Sequence, residues 1–130
     1  MKRILNDLGF DDITDLDANI HAGVKYVAFL RDTYFSDPAL SDVDRFAFTW
    51  AAYNAGPTKV RKMRARAAQM NLDPNRWFQN TEYAALRMVG QETVTYVSNI
   101  YKYYIAYALS REILTKKTEE LQAVQDVGTK

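Results

Sequence analysis

Residues 46–57 read Phe-Ala-Phe-Thr-Trp-Ala-Ala-Tyr-Asn-Ala-Gly-Pro. Phe46, Phe48, Trp50, Ala51, Ala52 and Tyr53 make a segment that is apolar on nearly every face, with Thr49 as its polar interruption. A helix of that kind is buried on most sides. Gly56 suits the left-handed backbone conformation that closes a helix, and Pro57, with no N–H and a preset φ, suits the first turn of the next. The chain therefore turns a corner here, with Tyr53 and Asn54 held just before it. A phenol joins an apolar ring to a polar tip and an amide offers both donor and acceptor, so the pair can position a neutral, hydroxyl-rich ligand. The same groups can staple the corner to its neighbours, and the residues alone leave both readings open.

Around this corner the chain is 130 residues long, one domain's worth. Its charged fraction of 25% and hydrophobic fraction of 48% are those of a globular chain rather than a disordered one. Nine Tyr, six Phe and two Trp are an ample supply for both a core and a binding groove. The net charge of +1 gives no global pull toward nucleic acid or an anionic membrane. The absence of cysteine excludes disulfides and thiolate metal sites. The opening Met-Lys-Arg-Ile-Leu lacks the apolar core of a signal peptide, and no run approaches membrane-spanning length, so membrane contact is not expected through this chain.

Upstream, residues 2–8 suit two helical turns closed by Gly9, followed by an acidic connector. A helix is expected from about Asp17 to Phe35, with Asp15 or Asp17 as cap and Ile20, Val24, Val27, Arg31 and Tyr34 on one face. Residues 36–41 read as a loop, and Ser41 or Asp42 caps the helix that leads to the corner. Downstream, residues 58–70 place Val60, Met63, Ala67 and Met70 on one face. Lys59, Arg61, Lys62, Arg64 and Arg66 cover the rest, as the solvated side of an amphipathic helix rather than a nucleic-acid stripe. Residues 71–80 read as a loop or a single turn, whose Trp77-Phe78 pair is a core plug or an exposed stacking platform.

From about Gln91 a long helix carries Val94, Val97, Ile100, Tyr101, Tyr104, Ile105 and Ala108 on one line and Glu92, Tyr96, Asn99 and Tyr103 on another. One line packs and the other borders a groove. Past Arg111 packing residues thin out, so the helix is expected to end near Val124 in a frayed tail, with 1–115 as the domain and 116–130 as an extension. The pattern is all-α throughout.

Metal chemistry finds no ligand set, since the single histidine, His21, has Asp17, Val24 and Lys25 at helical spacing. No nucleophilic triad or phosphate-cradling glycine loop is present, and no cofactor is implied. Glu92 is the best-placed carboxylate for acid–base work, although a Glu in a first helical turn ordinarily serves the helix dipole.

Ala52-Tyr53-Asn54-Ala55-Gly56 followed by Glu92-Thr93-Val94-Thr95-Tyr96-Val97 resembles the last two motifs of the family 1 lytic transglycosylases, whose catalytic domain is similar to goose-type lysozyme. Asp17-Ala18-Asn19-Ile20-His21-Ala22-Gly23-Val24-Lys25-Tyr26 resembles the segment that starts the helix ahead of them, so the likeness spans about residues 5–108 in order. The long insert and the Tyr-rich last helix are most similar to the membrane-bound lytic transglycosylase F group. The resemblance implies an all-α, lysozyme-like domain acting on peptidoglycan in the bacterial envelope or periplasm. Such enzymes cleave the β-1,4 bond between N-acetylmuramic acid and N-acetylglucosamine without water, leaving a 1,6-anhydromuramoyl end. One glutamate protonates the leaving oxygen and then assists attack by the sugar's own 6-hydroxyl, unlike the two-carboxylate scheme of ordinary glycosidases. By resemblance Tyr53 and Asn54 line the saccharide groove, and Tyr96 sits beside the catalytic carboxylate.

The family's Glu-Ser pair and its Gly-Leu-Met-Gln motif are not found in this sequence, and no residue here corresponds to the acid. We therefore expect a domain incomplete on its N-terminal side, inactive by itself, from a longer enzyme or a mis-set start, in preference to a truncated relative that only binds. Apolar faces left uncovered would drive self-association or repacking. The alternative is a non-catalytic peptidoglycan-binding or helical interaction module.

Overall fold

The computed structural model describes residues 13–128, with side-chain surroundings from His21 onward. Among them are five α-helices: α1 (Ile13–Tyr34), α2 (Asp42–Ala55), α3 (Pro57–Gln69), α4 (Glu82–Val89) and α5 (Gln91–Gly128), with a kinked turn at Trp77–Thr81 before α4. No strand occurs among the described residues, and the fold is all-α. The turns expected over residues 2–8 lie outside the described residues.

α1 already runs at Ile13, so Asp15 and Asp17 lie within its first turns and neither caps it. Acids there still suit the positive end of a helix. Its inward side also differs from the expected one. Leu30 is fully buried and Val27 half-buried, while Val24, Arg31 and Tyr34 are exposed. Arg31 meets Asp32 at the surface instead (2.9 Å). Apolar spacing misleads here because an exposed Val or Tyr carries little penalty, whereas a Leu at the right register carries the packing.

Ser41 caps α2 as expected: its Oγ accepts from the Asp44 N–H (3.1 Å) and donates to Asp44 Oδ2 (2.6 Å). The other carboxylate oxygen of Asp44 accepts from the Trp77 backbone N–H (3.0 Å), tying the start of α2 to the loop that delivers the indole. Arg45 fastens the preceding loop by donating to the carbonyls of Phe35, Asp37 and Leu40. Ala47, Phe48, Ala51 and Ala52 are buried, but Phe46 and Trp50 are half-buried and Tyr53 is exposed, so α2 is covered on one side and not on most.

At the corner Gly56 has φ 96° and ψ 147°, a positive φ as anticipated but with an extended rather than a left-handed helical ψ. Pro57 opens α3 at its first turn. Val60, Met63 and Ala67 are buried and Met70 is half-buried, matching the expected face. Lys59, Arg61, Lys62 and Arg66 are exposed, whereas Arg64 is not part of the solvated side. Its guanidinium lies 4.9 Å from the Phe48 ring and donates to Pro74 O and Asn75 Oδ1 (both 2.8 Å), which pins the 71–76 loop. Trp77 is the core plug: it is fully buried, edge-on to Phe48. Phe78 is half-buried beside Tyr101 (4.9 Å).

The short α4, to which the sequence pattern pointed with no element, buries Ala84 and Ala85. Gly90 (φ 81°) then separates it from α5. α5 packs through buried Thr93 and Val97 with Val94, Ile100 and Tyr101 half-buried. Every residue from 102 to 128 is exposed, so Tyr104, Ile105 and Ala108 are not core residues as expected, although the Tyr104 ring reaches Phe46 (4.9 Å). The helix also runs past Val124, to Gly128.

A Cβ placed on Gly56 would meet nothing within 4 Å, so any cost of Gly56→Ala is conformational alone. We expect it to lower the unfolding free energy by about 1–3 kcal/mol, measured by urea denaturation.

Candidate functional site

The corner and the first turns of α5 meet. Asn54, at the end of α2, accepts at Oδ1 from the Thr93 hydroxyl of α5 (2.7 Å) across 39 residues of sequence. Thr93 stands one helical turn before Tyr96, so this bond brings Asn54 and Tyr96 to the same junction. Trp50 closes the arrangement, with ring centroids 5.4 Å from Tyr53 and 6.4 Å from Tyr96. On its other side Tyr53 meets Tyr26 of α1 (6.0 Å). A Cβ on Gly23 would lie 3.7 Å from the Tyr53 hydroxyl, so α1 passes under that hydroxyl at its smallest residue.

The three residues named from sequence, Tyr53, Asn54 and Tyr96, are therefore brought together. Tyr53 is 42% exposed, Asn54 is exposed and Tyr96 is half-buried. Asn54 does act as a staple through its Oδ1, which was one of the two readings left open. Its Nδ2 has no partner among the described residues. Thr93, Trp50, Tyr26 and Gly23 complete the cluster and were not singled out from sequence. Thr93 was detectable in principle, since it falls one turn before Tyr96 and Val97 on the inward side of α5; Trp50 read as core, and Tyr26 and Gly23 depend on a tertiary approach.

Beside the cluster, an open groove of about 400 Å³ between α1 and α2 is lined by Val27, Arg31, Phe46, Thr49 and Trp50, among others. Trp50 is common to groove and cluster. The junction thus offers an aromatic wall, phenol hydroxyls and an amide, groups that hydrogen-bond and stack on neutral polar ligands. Burial, and then the neighbouring Tyr53, push the Tyr96 phenol above the ordinary tyrosine value. Glu92 is exposed in the first turn of α5, and His21 is exposed on α1. Among the described residues no group of three or more His, Asp or Glu could hold a metal ion.

The helices around the Ala-Tyr-Asn corner define an SLT-type helical domain. The family model described as the transglycosylase SLT domain matches residues 1–78, more than half of the chain, and the chain belongs to this family. Relatives named membrane-bound lytic murein transglycosylase F include one from Desulfosudis oleivorans, 35% identical over 75% of this chain and 24% of that protein. Another, from Pseudomonas fluorescens, is 30% identical over 75% of this chain and 22% of its own length. A third, from Shewanella denitrificans, is 30% identical over 92% of this chain and 26% of its own. The resemblance read from the two motifs is borne out, and the chain spans about a quarter of the length of these relatives. No solved structure matches it.

Two outcomes follow from this geometry. In a double-mutant cycle of Asn54→Ala and Thr93→Val, read by urea denaturation, the coupling should be about 0.5–1.5 kcal/mol. Because the folded-state pKa of Tyr96 is raised, its contribution to stability is fully present below the unfolded-state value of about 10 and is lost as pH rises through the folded value. The fall in melting temperature above that pH should be shallower in Tyr96→Phe than in the parent chain.

Proposed function

We propose that this chain is the saccharide-holding part of a peptidoglycan lytic transglycosylase domain, with Tyr53, Asn54 and Tyr96 as substrate-binding residues. The observation that carries the reading is the Thr93–Asn54 bond together with the Trp50 contacts, which gather three residues from two separate motifs at one junction. Membership of the SLT family and the names of the relatives support the same substrate class. In this reading the phenol and amide groups bond the hydroxyl and acetamido groups of a glycan strand, and Trp50 supplies a face for the sugar ring. The proton donor that cleaves the β-1,4 bond is not among these 130 residues, so the chain by itself binds and does not cut. Glu92 lies four positions before Tyr96, but it is exposed in the first turn of α5, where a glutamate ordinarily serves the helix dipole. The setting is the bacterial envelope, and no helix among the described residues is long and apolar enough to cross a membrane.

A second reading, a helical interaction module that self-associates, is favoured by one feature: α5 is exposed at every position from 102 to 128, Tyr103, Tyr107, Leu114 and Leu121 included.

Sedimentation with insoluble peptidoglycan separates the two. The 130-residue chain should co-sediment with the sacculus, Tyr53→Ala should weaken binding about tenfold, and no anhydromuropeptide should be released. Release of anhydro products would overturn the proposed division of labour. Failure to bind peptidoglycan, with concentration-dependent dimerisation, would favour the interaction module.

A further inference from the structure

We propose that the pocket between the end of α1 and the first turns of α3 binds a peptide carboxylate, so that the chain holds an acidic peptide arm of the glycan strand beside its sugar. This site rests on the saccharide-holding reading above.

α3 carries Lys59, Arg61, Lys62, Arg64 and Arg66 and no acid, in a chain whose net charge is only +1. Among the described residues none of these cations is in an ion pair, whereas Arg31 and Arg45 have carboxylate partners in Asp32 and Asp42. Spacing divides the five. Pro57, Arg61 and Arg64 recur at four and three, which puts them on one side of the helix, and Lys59, Lys62 and Arg66 stand across it. The first side meets Tyr34 and Phe35, and together they line a pocket of about 140 Å³.

In this pocket Arg64 is half-buried and donates from Nε to Pro74 O and from Nη2 to Asn75 Oδ1, both at 2.8 Å. Neutral acceptors leave its charge unmatched. Arg61 is exposed, with no hydrogen-bond or ion-pair partner among the described residues. A fixed guanidinium and a free one, walled by a phenol, a phenyl ring and a proline ring, fit a carboxylate that carries a small apolar group. A run of phosphates would instead call for cations in a stripe along the surface.

Two features join the pocket to the sugar corner. Pro57 lies three residues past Asn54, so no more than about 11 Å of backbone separates them, while a peptide arm of four residues reaches about 13 Å when extended. An unbroken row of exposed rings also leads there from Tyr53: Tyr26, Phe29 and Tyr34 follow, with successive centroids 6.0, 6.3 and 6.3 Å apart. An arm branching from a sugar held at Asn54 can therefore place its carboxyl end at Arg61.

The test measures, by calorimetry on the 130-residue chain, binding of soluble peptide-bearing glycan strands and of the same strands after their arm carboxylates have been converted to amides. The parent chain should bind the carboxylate strands about three- to tenfold tighter, and the difference should shrink as salt is raised. Arg61→Gln should bring the two strands to within about twofold of each other and bind the amide strands as the parent does. Arg61→Lys, which keeps the charge without the planar fork, should fall between. Because Arg61 is exposed, its variants should keep the parent's urea midpoint, which marks a lost preference as a lost contact. A parent chain that binds both strands equally, or an Arg61→Gln protein that keeps the preference, overturns the carboxylate site and leaves the saccharide reading standing. Displacement of the carboxylate strands by short duplex DNA at physiological salt does the same, and would make α3 a face for phosphate polymers. Binding of neither strand overturns both.

Discussion

The close approach of helices to α2 is the constraint on which everything else depends. Ala47, Ala51 and Ala52 put methyl groups where larger side chains would hold the neighbours off, and Phe48 is the large buried side chain that α2 adds to the core. Small residues let α3 and α5 come near, and the near approach is what allows an amide at position 54 to reach a hydroxyl at position 93. Phe48 in turn collects the interactions that order the far side: it stacks on Phe35, meets the Trp77 edge and lies under the Arg64 guanidinium. Buried jigsaw contacts of this kind are individually weak and collectively decisive.

Polar groups then lock what the apolar face positions. Asp44 serves the Ser41 cap with one oxygen and the Trp77 backbone with the other, so a single carboxylate sets both the start of α2 and the register of the indole. Arg45 and Arg64 do the same for the two long loops, each satisfying loop carbonyls that secondary structure leaves unpaired. Such loops are held by side chains on rigid helices, which is why the corner at Gly56 can be placed reliably against the base of α5.

Much of this was legible in the sequence where the signal is local. The Ser41 cap, the Gly56-Pro57 corner, the Val60–Met63–Ala67 face and the long last helix each follow from neighbours a few residues apart. What failed was tertiary. Val24 and Tyr34 are spaced like core residues yet face solvent, while Leu30 carries the contact that Arg31 was expected to make. Tyr104 and Ile105 look like core positions on a helix that has already left the body. At the site, Tyr53, Asn54 and Tyr96 lie at one junction, but Thr93 escaped because its partner is 39 positions away, even though its place on the inward side of α5 was legible.

One helix here has two very different lives. Around Thr93 and Val97 the backbone of α5 is roofed by α2 and shares the stability of the core, whereas beyond Tyr104 the same hydrogen-bond ladder stands alone in solvent for 24 residues, a rod of about 36 Å at 1.5 Å per residue. A solitary ladder frays from its tip without disturbing the body. Its amides should trade deuterium long before those of its base, and the boundary between fast and slow exchange should fall where the aromatic contacts to Phe46 and Phe78 end.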